Sequence, residues 1–270
     1  MTEAQRQLYE QRLREGYFLN STICLRMGWR MFRSQFRLFT YYVLLIPLLG
    51  ALLGLMGVGN ITLMVYYFLL SPLLYAGLYL GAAKVYRSEE LKFQDFFKLR
   101  EQAPAIIINN LINVLILGLV LSPIALVLQK AGYLEWYQEI VANPASPPEP
   151  PELTSTESTI FFLTLIPLIY LQVGFSWAYP FILFWRVGPW HALEMSRRLL
   201  NKRWSAQFML LLSFFSLFFS AALLLSPLSA INPGLGNIAS FALFLLFPWA
   251  YCSLYFGWQQ ALSTDDTENA

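Results

Sequence analysis

Six stretches of this chain, 38–58, 61–84, 104–128, 158–185, 207–227 and 236–260, carry no Asp, Glu, Lys or Arg between their end residues. Crossing ~30 Å of hydrocarbon takes about 20 residues of α-helix. All six meet that length, so the sequence predicts an all-α, polytopic integral membrane protein with six transmembrane helices. Only 13% of the residues are charged and 57% are apolar, whereas a soluble domain carries about 25% charged residues.

The basic residues are sorted by position. The lead, 1–37, holds seven Lys and Arg, the segment 84–102 five and the segment 186–207 five, so 17 of the 18 fall on one side of the predicted membrane. Lys130 alone falls on the other. By the positive-inside rule the 17 face the cytoplasm. The expected location is therefore the plasma (cytoplasmic) membrane, multi-pass, with both termini cytoplasmic. No signal peptide is read at the N-terminus, because the first apolar run starts only near Leu38, after a charged lead.

The basic segments have a pattern. Residues 1–15 read as a short cytosolic helix or a frayed end. Arg26, Arg30, Arg33 and Arg37 recur at helical spacing, beside a second stripe of Leu25, Trp29, Phe32 and Phe36. Such a helix suits the plane of the bilayer surface, although a soluble amphipathic helix packed on a partner has the same pattern. Phe93, Phe96, Phe97 and Arg100 predict a second surface helix within 84–102. Leu193, Leu200 and Trp204, with Arg197, Arg198, Lys202 and Arg203 elsewhere, predict a third within 186–207. The remaining connection, 129–157, is acidic and proline-rich. It predicts an extended outer loop with a short helix over 132–142, and the tail 261–270 reads as disordered. The expected division is a lead of 1–37, a membrane domain of 38–260 and the tail.

One stretch is written twice. GVGNITLMVYYFLLSPLLYAGLYLG (57–81) and GLGNIASFALFLLFPWAYCSLYFG (234–257) share Gly-x-Gly-Asn-Ile, Pro-x-x-Tyr and Leu-Tyr-x-Gly in order. Pro167 and Tyr170 make a weaker third copy, with Gln172 where Gly77 stands in the first. The chain thus reads as three repeated units, each an interfacial amphipathic helix plus a helical hairpin. Gly59-Asn60 and Gly236-Asn237 would make the outer turns. Pro72, Pro167 and Pro248 each remove a backbone donor and free the carbonyl four residues earlier, at Phe68, Leu163 and Phe244. Those carbonyls need another donor in a medium without water. Tyr75, Tyr170 and Tyr251 lie one turn on, and the expectation is three kinked helices with the tyrosines grouped near a common axis. A packed core is favoured over a small cavity at that axis. Gly50-xxx-Gly54, Gly77-xxx-Gly81 and Ser253-xxx-Gly257 are candidate close-packing sites.

The Ala192-Leu-Glu-Met-Ser-Arg-Arg198 run leading to Arg203-Trp204, together with Phe93-Gln-Asp-Phe-Phe97, carries a resemblance. Over about residues 20–260 the chain resembles bacterial six-helix membrane proteins grouped with the membrane domain of glycerophosphodiester phosphodiesterases. The resemblance implies a six-helix fold with no catalytic residues in this region. In those phosphodiesterases the hydrolase is a separate barrel, and a chain of 270 residues has no room for the ~250 residues of such a barrel beside six spans. The hydrolase activity is therefore not implied.

The residues themselves offer little chemistry. His191 has no second ligand near it, and Cys24 and Cys252 have no paired spacing, so neither a metal nor a cofactor is expected. No acid lies within a span to relay protons. Asn109, Asn110 and Asn113 in the third span read as interhelical hydrogen-bonding groups ahead of a cavity lining. Expected partners are the bilayer, anionic headgroups and a membrane protein, with no nucleic acid. The expected function is a non-catalytic accessory, regulatory or lipid-organising module. A permease for a lipid-like or weakly polar small molecule is the alternative.

Overall fold

A hydrocarbon medium obliges the backbone to satisfy its hydrogen bonds internally. The computed structural model describes residues 1–55, 62, 64–143, 148–231 and 243–262, and among these every regular element is helical. In order they are α1 (Glu3–Glu15), α2 (Ser21–Ser34), α3 (Phe36–Leu55), a π-helical turn (Tyr66–Leu70) and α4 (Ser71–Tyr86). A 3-10 turn (Phe93–Phe97), α5 (Ala103–Lys130), α6 (Tyr133–Ala142), α7 (Ser155–Phe175) and α8 (Ala178–Trp185) follow. The last three are α9 (Pro189–Asn201), α10 (Trp204–Ile231) and α11 (Phe247–Leu262).

Among the described residues five helical stretches are long and apolar enough to cross a membrane: Phe36–Leu55, Tyr66–Tyr86, Ala103–Lys130, Ser155–Trp185 and Trp204–Leu225. Their outward faces are apolar and uncovered, as at Leu52, Leu119, Phe162, Phe215 and Leu224. Soluble monomers rarely leave contiguous apolar surface of this kind in water, whereas lipid covers it. The chain is a helical membrane-embedded protein. The sixth predicted span is described only as α11, which has 16 residues. Both Gly-x-Gly-Asn-Ile sequences, with the predicted turns Gly59-Asn60 and Gly236-Asn237, lie outside the described residues, as do 144–147 of the outer loop and 263–270 of the tail. Ala261 and Leu262, expected in that tail, are helical and buried.

The chain divides into two compact units, residues 1–110 with 173–270, and residues 111–172. In the larger unit α2 crosses α11 at small residues. A Cβ on Gly28 would meet Ser253, with its backbone N and Cα only 2.6 and 2.7 Å away, and one on Gly257 would meet Cys24 Sγ at 3.4 Å. Cys24-xxx-Gly28 thus fits against Ser253-xxx-Gly257. Trp249 Nε1 donates to the Leu25 carbonyl at 2.9 Å across the same crossing. Burial pushes the Cys24 thiol up to about 12.

The N-terminal helix is anchored rather than frayed. Thr2 and Gln5 form a capping box. The Tyr9 hydroxyl donates to Met195 O at 3.2 Å and the Tyr17 hydroxyl to Leu199 O at 3.1 Å, which ties the lead to α9. Burial pushes the Tyr9 phenol up to about 12.

The second surface helix predicted within 84–102 is absent. Ser88 enters the left-handed region at φ 57. The Ser88 and Glu89 amides then bond Val85 O and Lys84 O at 3.0 Å each, which closes α4 in a Schellman turn. The chain returns across α4 and forms only the short 3-10 turn. Phe96 is fully buried there, stacked on Tyr42 at 4.3 Å, in the slot left by Gly77 and Gly81. Asp95 is buried with it and pairs with Lys98 at 2.7 Å and Lys84 at 3.4 Å. Burial raises the Asp95 carboxyl, but the bonds from Lys98 and the Lys92 amide and the charge of Lys84 outweigh it and hold the group at about 2.

The predicted fourth span is also interrupted. Ser176 and Trp177 form a turn between α7 and α8. In the smaller unit the short helix expected over 132–142 is present as α6, begun by left-handed Gly132. Its Trp136 Nε1 donates to Pro148 O at 3.0 Å. Pro123 and Pro167 lie inside continuous helices.

Candidate functional site

The first candidate is the basic face of α2. Arg26, Arg30 and Arg33 are exposed on α2, while Cys24, Gly28, Met31 and Phe32 form its buried side; the single helix read through Arg37 is interrupted at Gln35 (φ -127, ψ 35), so Arg37, also exposed, stands in the first turn of α3. The aromatic stripe read from the sequence therefore divides. Phe32 is buried, whereas Trp29 and Phe36 are exposed beside the arginines. The crossing with α11 fixes the helix, so its cationic side is held in one orientation. In α9, Glu194 accepts from Arg197 at 2.8 Å and from Arg198 at 2.6 Å. The Arg197 bond, with that of Arg198, holds the Glu194 carboxyl down at about 2 despite partial burial. Both arginines are thus partly neutralised. Trp204 is half-buried and stacks on Phe208 at 4.9 Å. Arg203 Nε donates to Tyr17 O at 2.9 Å.

The second candidate is the proline–tyrosine pairs. Pro72 and Pro248 stand in the first turns of α4 and α11, positions where a missing amide costs least. The π turn runs directly into α4, whereas a turn at 245–246 precedes α11. Tyr75 and Tyr251 meet, with ring centroids 5.8 Å apart and planes within 1° of parallel. Tyr79 lies edge-on to Tyr251 at 5.1 Å and donates to Ser176 O at 3.3 Å. Ser196 Oγ, buried, donates to Gly174 O at 2.6 Å and accepts the Trp177 amide at 3.1 Å. Gln207 Nε2 donates to Ser176 Oγ at 2.8 Å. These bonds satisfy the backbone where α7 gives way to α8. Sequence reasoning missed this group, although Gly174 and Pro180 flank the break. Tyr170, Pro167 and exposed Gln172 belong to the other unit.

The asparagines act as interhelical donors. Asn109 Nδ2 reaches Pro189 O at 3.0 Å. Asn110 Nδ2 reaches Phe68 O at 3.3 Å, the carbonyl that Pro72 leaves without its amide. The Asn113 Oδ1 is buried and has no partner among the described residues.

The third candidate is a groove of about 370 Å³ beside the π-helical turn. Pro47 and Gly50 of α3, with Tyr66, Tyr67, Tyr75 and Phe244, line it. The π turn carries one residue more than an α turn, and such insertions recur at functional sites. The Ser71 amide bonds Tyr66 O, and Ser71 Oγ donates to Tyr67 O at 2.9 Å. Gly50 lets the Tyr66 ring lie 3.2 Å from where a Cβ would be, and the Tyr66 hydroxyl donates to Ile46 O at 2.6 Å. Among the described residues no charged side chain lines this groove.

The fold defines the class, a helical membrane-embedded protein. Comparison with protein-family profiles found no match, and comparisons with curated proteins and with solved structures found none of significance. No group of three or more His, Cys, Asp or Glu able to hold a metal occurs among the described residues.

Proposed function

We propose that the chain is a non-catalytic module of a bacterial plasma membrane that organises anionic lipid and assists or regulates membrane-protein partners. The carrying observation is the row Arg26, Arg30 and Arg33, exposed on a helix whose opposite side is fixed at Gly28, with Arg37 exposed in the first turn of the next helix. Each cation near an anionic leaflet contributes about 1 kcal/mol of attraction. In this reading the chain makes six spans in three repeated units, similar to the membrane domain of the glycerophosphodiester phosphodiesterases, with both termini in the cytoplasm. The stacked Tyr75 and Tyr251, each one turn beyond its helix-starting proline, support the correspondence of the first and third units.

Spin-labelled lipids measure the selectivity. Purified protein in mixed bilayers is expected to restrict phosphatidylglycerol more than phosphatidylcholine. Exchanging the four arginines for glutamine, or adding 1 M salt, is expected to abolish most of that preference. A preference that survives both changes sinks the reading. The orientation has its own measurement. A cysteine replacing Glu149 should label from outside intact cells, and one replacing Lys202 only after permeabilisation. The native cysteines are buried and give a low background. The reverse pattern overturns the topology.

The groove of about 370 Å³ favours a second reading, a permease for a lipid-like or weakly polar molecule. Transport into proteoliposomes that is lost when the groove is filled would place this reading first.

A further inference from the structure

We infer that Phe93 and Phe97 are a lipid-inserting pair. The 3-10 turn that carries them dips between α3 and α4 and sets both rings at the glycerol level of the adjoining leaflet, where they bind lipid by ring burial and not by headgroup charge. This contact is separate from the arginine row of α2.

Depth is the first argument. The Phe93 and Phe97 rings rest against Tyr42, with centroids 6.2 and 5.3 Å away. Tyr42 stands six residues beyond the start of α3 at Phe36, ~9 Å along the helix axis. Phe96 O lies 2.5 Å from the Cβ position of Gly77, which is nine residues before the end of α4 at Tyr86, ~14 Å along that axis. Both helices belong to stretches of spanning length. The turn therefore does not sit over the helix ends but re-enters between them. A membrane accepts non-helical backbone only where the polar groups find partners. Here the Asp95 amide bonds Lys92 O at 2.9 Å, the Leu99 amide bonds Phe97 O at 2.8 Å, and the Lys92 amide donates to Asp95 Oδ2 at 2.9 Å.

The second argument is what the turn shows to its surroundings. Asp95 and Phe96 are turned inward, at 3% and 0% exposure, and fix the backbone. Phe93 and Phe97 are turned outward, at 39% and 45%, with ring centroids 5.5 Å apart. Two rings held in place and uncovered at this depth meet lipid, and aromatic side chains settle ~5–10 Å into the boundary between headgroups and acyl chains. Charge supplies the third argument. Residues 87–102 carry four basic and four acidic side chains. Each acid has a basic partner at 3.6 Å or less. A surface neutralised from within has little pull on an anionic headgroup, so the rings supply the adhesion.

The test uses the full chain in phospholipid nanodiscs, spin-labelled at Phe93→Cys, at Phe97→Cys or, as the water-facing reference on the same loop, at Glu90→Cys. The native cysteines are buried and do not compete for the label. Collision with oxygen reports lipid, and collision with a water-soluble nickel chelate reports water. The oxygen-to-nickel ratio at 93 and 97 is expected to exceed that at 90 by about threefold or more. It should hold within about 1.5-fold when phosphatidylcholine is exchanged for a mixture rich in phosphatidylglycerol, or when 1 M salt screens the headgroups. Ratios at 93 and 97 equal to that at 90 overturn the inference, as does a ratio that follows headgroup charge. Low access to both reagents would mean that protein covers the rings, and overturns it too. Should either cysteine disturb the turn, p-benzoylphenylalanine in place of Phe97 keeps a ring there. Irradiation is then expected to yield lipid adducts by mass spectrometry, and adducts to protein alone would overturn the site.

Discussion

Gly28→Leu is expected to detach α2 from α11 and lower the stability of the larger unit by about 3 kcal/mol or more. Overpacking a well-packed core costs about 1–3 kcal/mol. That range assumes neighbours able to move, and here the obstructing atoms include the Ser253 backbone N and Cα, 2.6 and 2.7 Å from the new Cβ. A rotamer change cannot clear them, so the helices must separate. Separation also breaks the bond from Trp249 Nε1 to Leu25 O and opens the contact between Gly257 and Cys24. Even Gly28→Ala should destabilise, although alanine is the better helix former by about 1 kcal/mol. Gly54→Ala is the control, since no atom of the described residues lies within 4 Å of its Cβ position. That change should be neutral or slightly stabilising. Unfolding in sodium dodecyl sulfate, followed by tryptophan fluorescence, reads all three. A Gly28→Leu protein that unfolds within about 0.5 kcal/mol of the parent would show that the crossing does not hold α2. The detachment matters for function, because a loose α2 no longer presents its arginines in a fixed row.

The membrane character was legible because it depends on the length and charge of continuous stretches, and both are explicit in the residue order. The arginine side of α2 was legible for the same reason. Which other side of that helix would be buried was not. Leu25, Trp29 and Phe36 form as good an apolar stripe as Cys24, Gly28 and Met31, and the choice is made by the small residues of α11 some 225 positions away. The segment 84–102 misled because Phe93, Phe96 and Phe97 fit helical spacing. The slot at Gly77 and Gly81 instead draws the backbone close, with Phe96 O 2.5 Å from the Gly77 Cβ position. The segment forms only a 3-10 turn there. Phe93-Gln-Asp-Phe-Phe97 and the Ala192–Trp204 run, which carried the family resemblance, both contain stapling residues. Phe96 and Asp95 lock the chain over α4, and Ser196 closes the turn before α8. The π turn at Tyr66 left no sequence signal, so the groove that it shapes was not foreseen. That the carbonyl freed by Pro72 would need a donor did follow from proline chemistry. Its identity, Asn110, depended on how α5 packs.

The strongest test of that last pairing is a double-mutant cycle. Asn110→Leu removes the amide that reaches Phe68 O at 3.3 Å. It leaves a backbone carbonyl unpaired in a helix of which more than half is buried within the protein. An unsatisfied buried acceptor costs about 1–3 kcal/mol, and no water is at hand in the membrane to reduce that cost. The expected loss for Asn110→Leu is therefore about 2 kcal/mol. Pro72→Ala restores the backbone amide four residues beyond Phe68, so the carbonyl regains a donor within its own helix. Alone, Pro72→Ala is expected to change stability little, because it makes the asparagine redundant and gives back helix propensity. In the Pro72→Ala background Asn110→Leu should cost under 0.5 kcal/mol, a coupling of roughly 1.5 kcal/mol within the range measured for residues that share a partner. The readout is the same detergent unfolding, with amide exchange at position 72 reporting whether the new bond forms. Additive losses would show that Asn110 stabilises α5 by some other contact, and that the carbonyl exposed by Pro72 carries no cost in this fold.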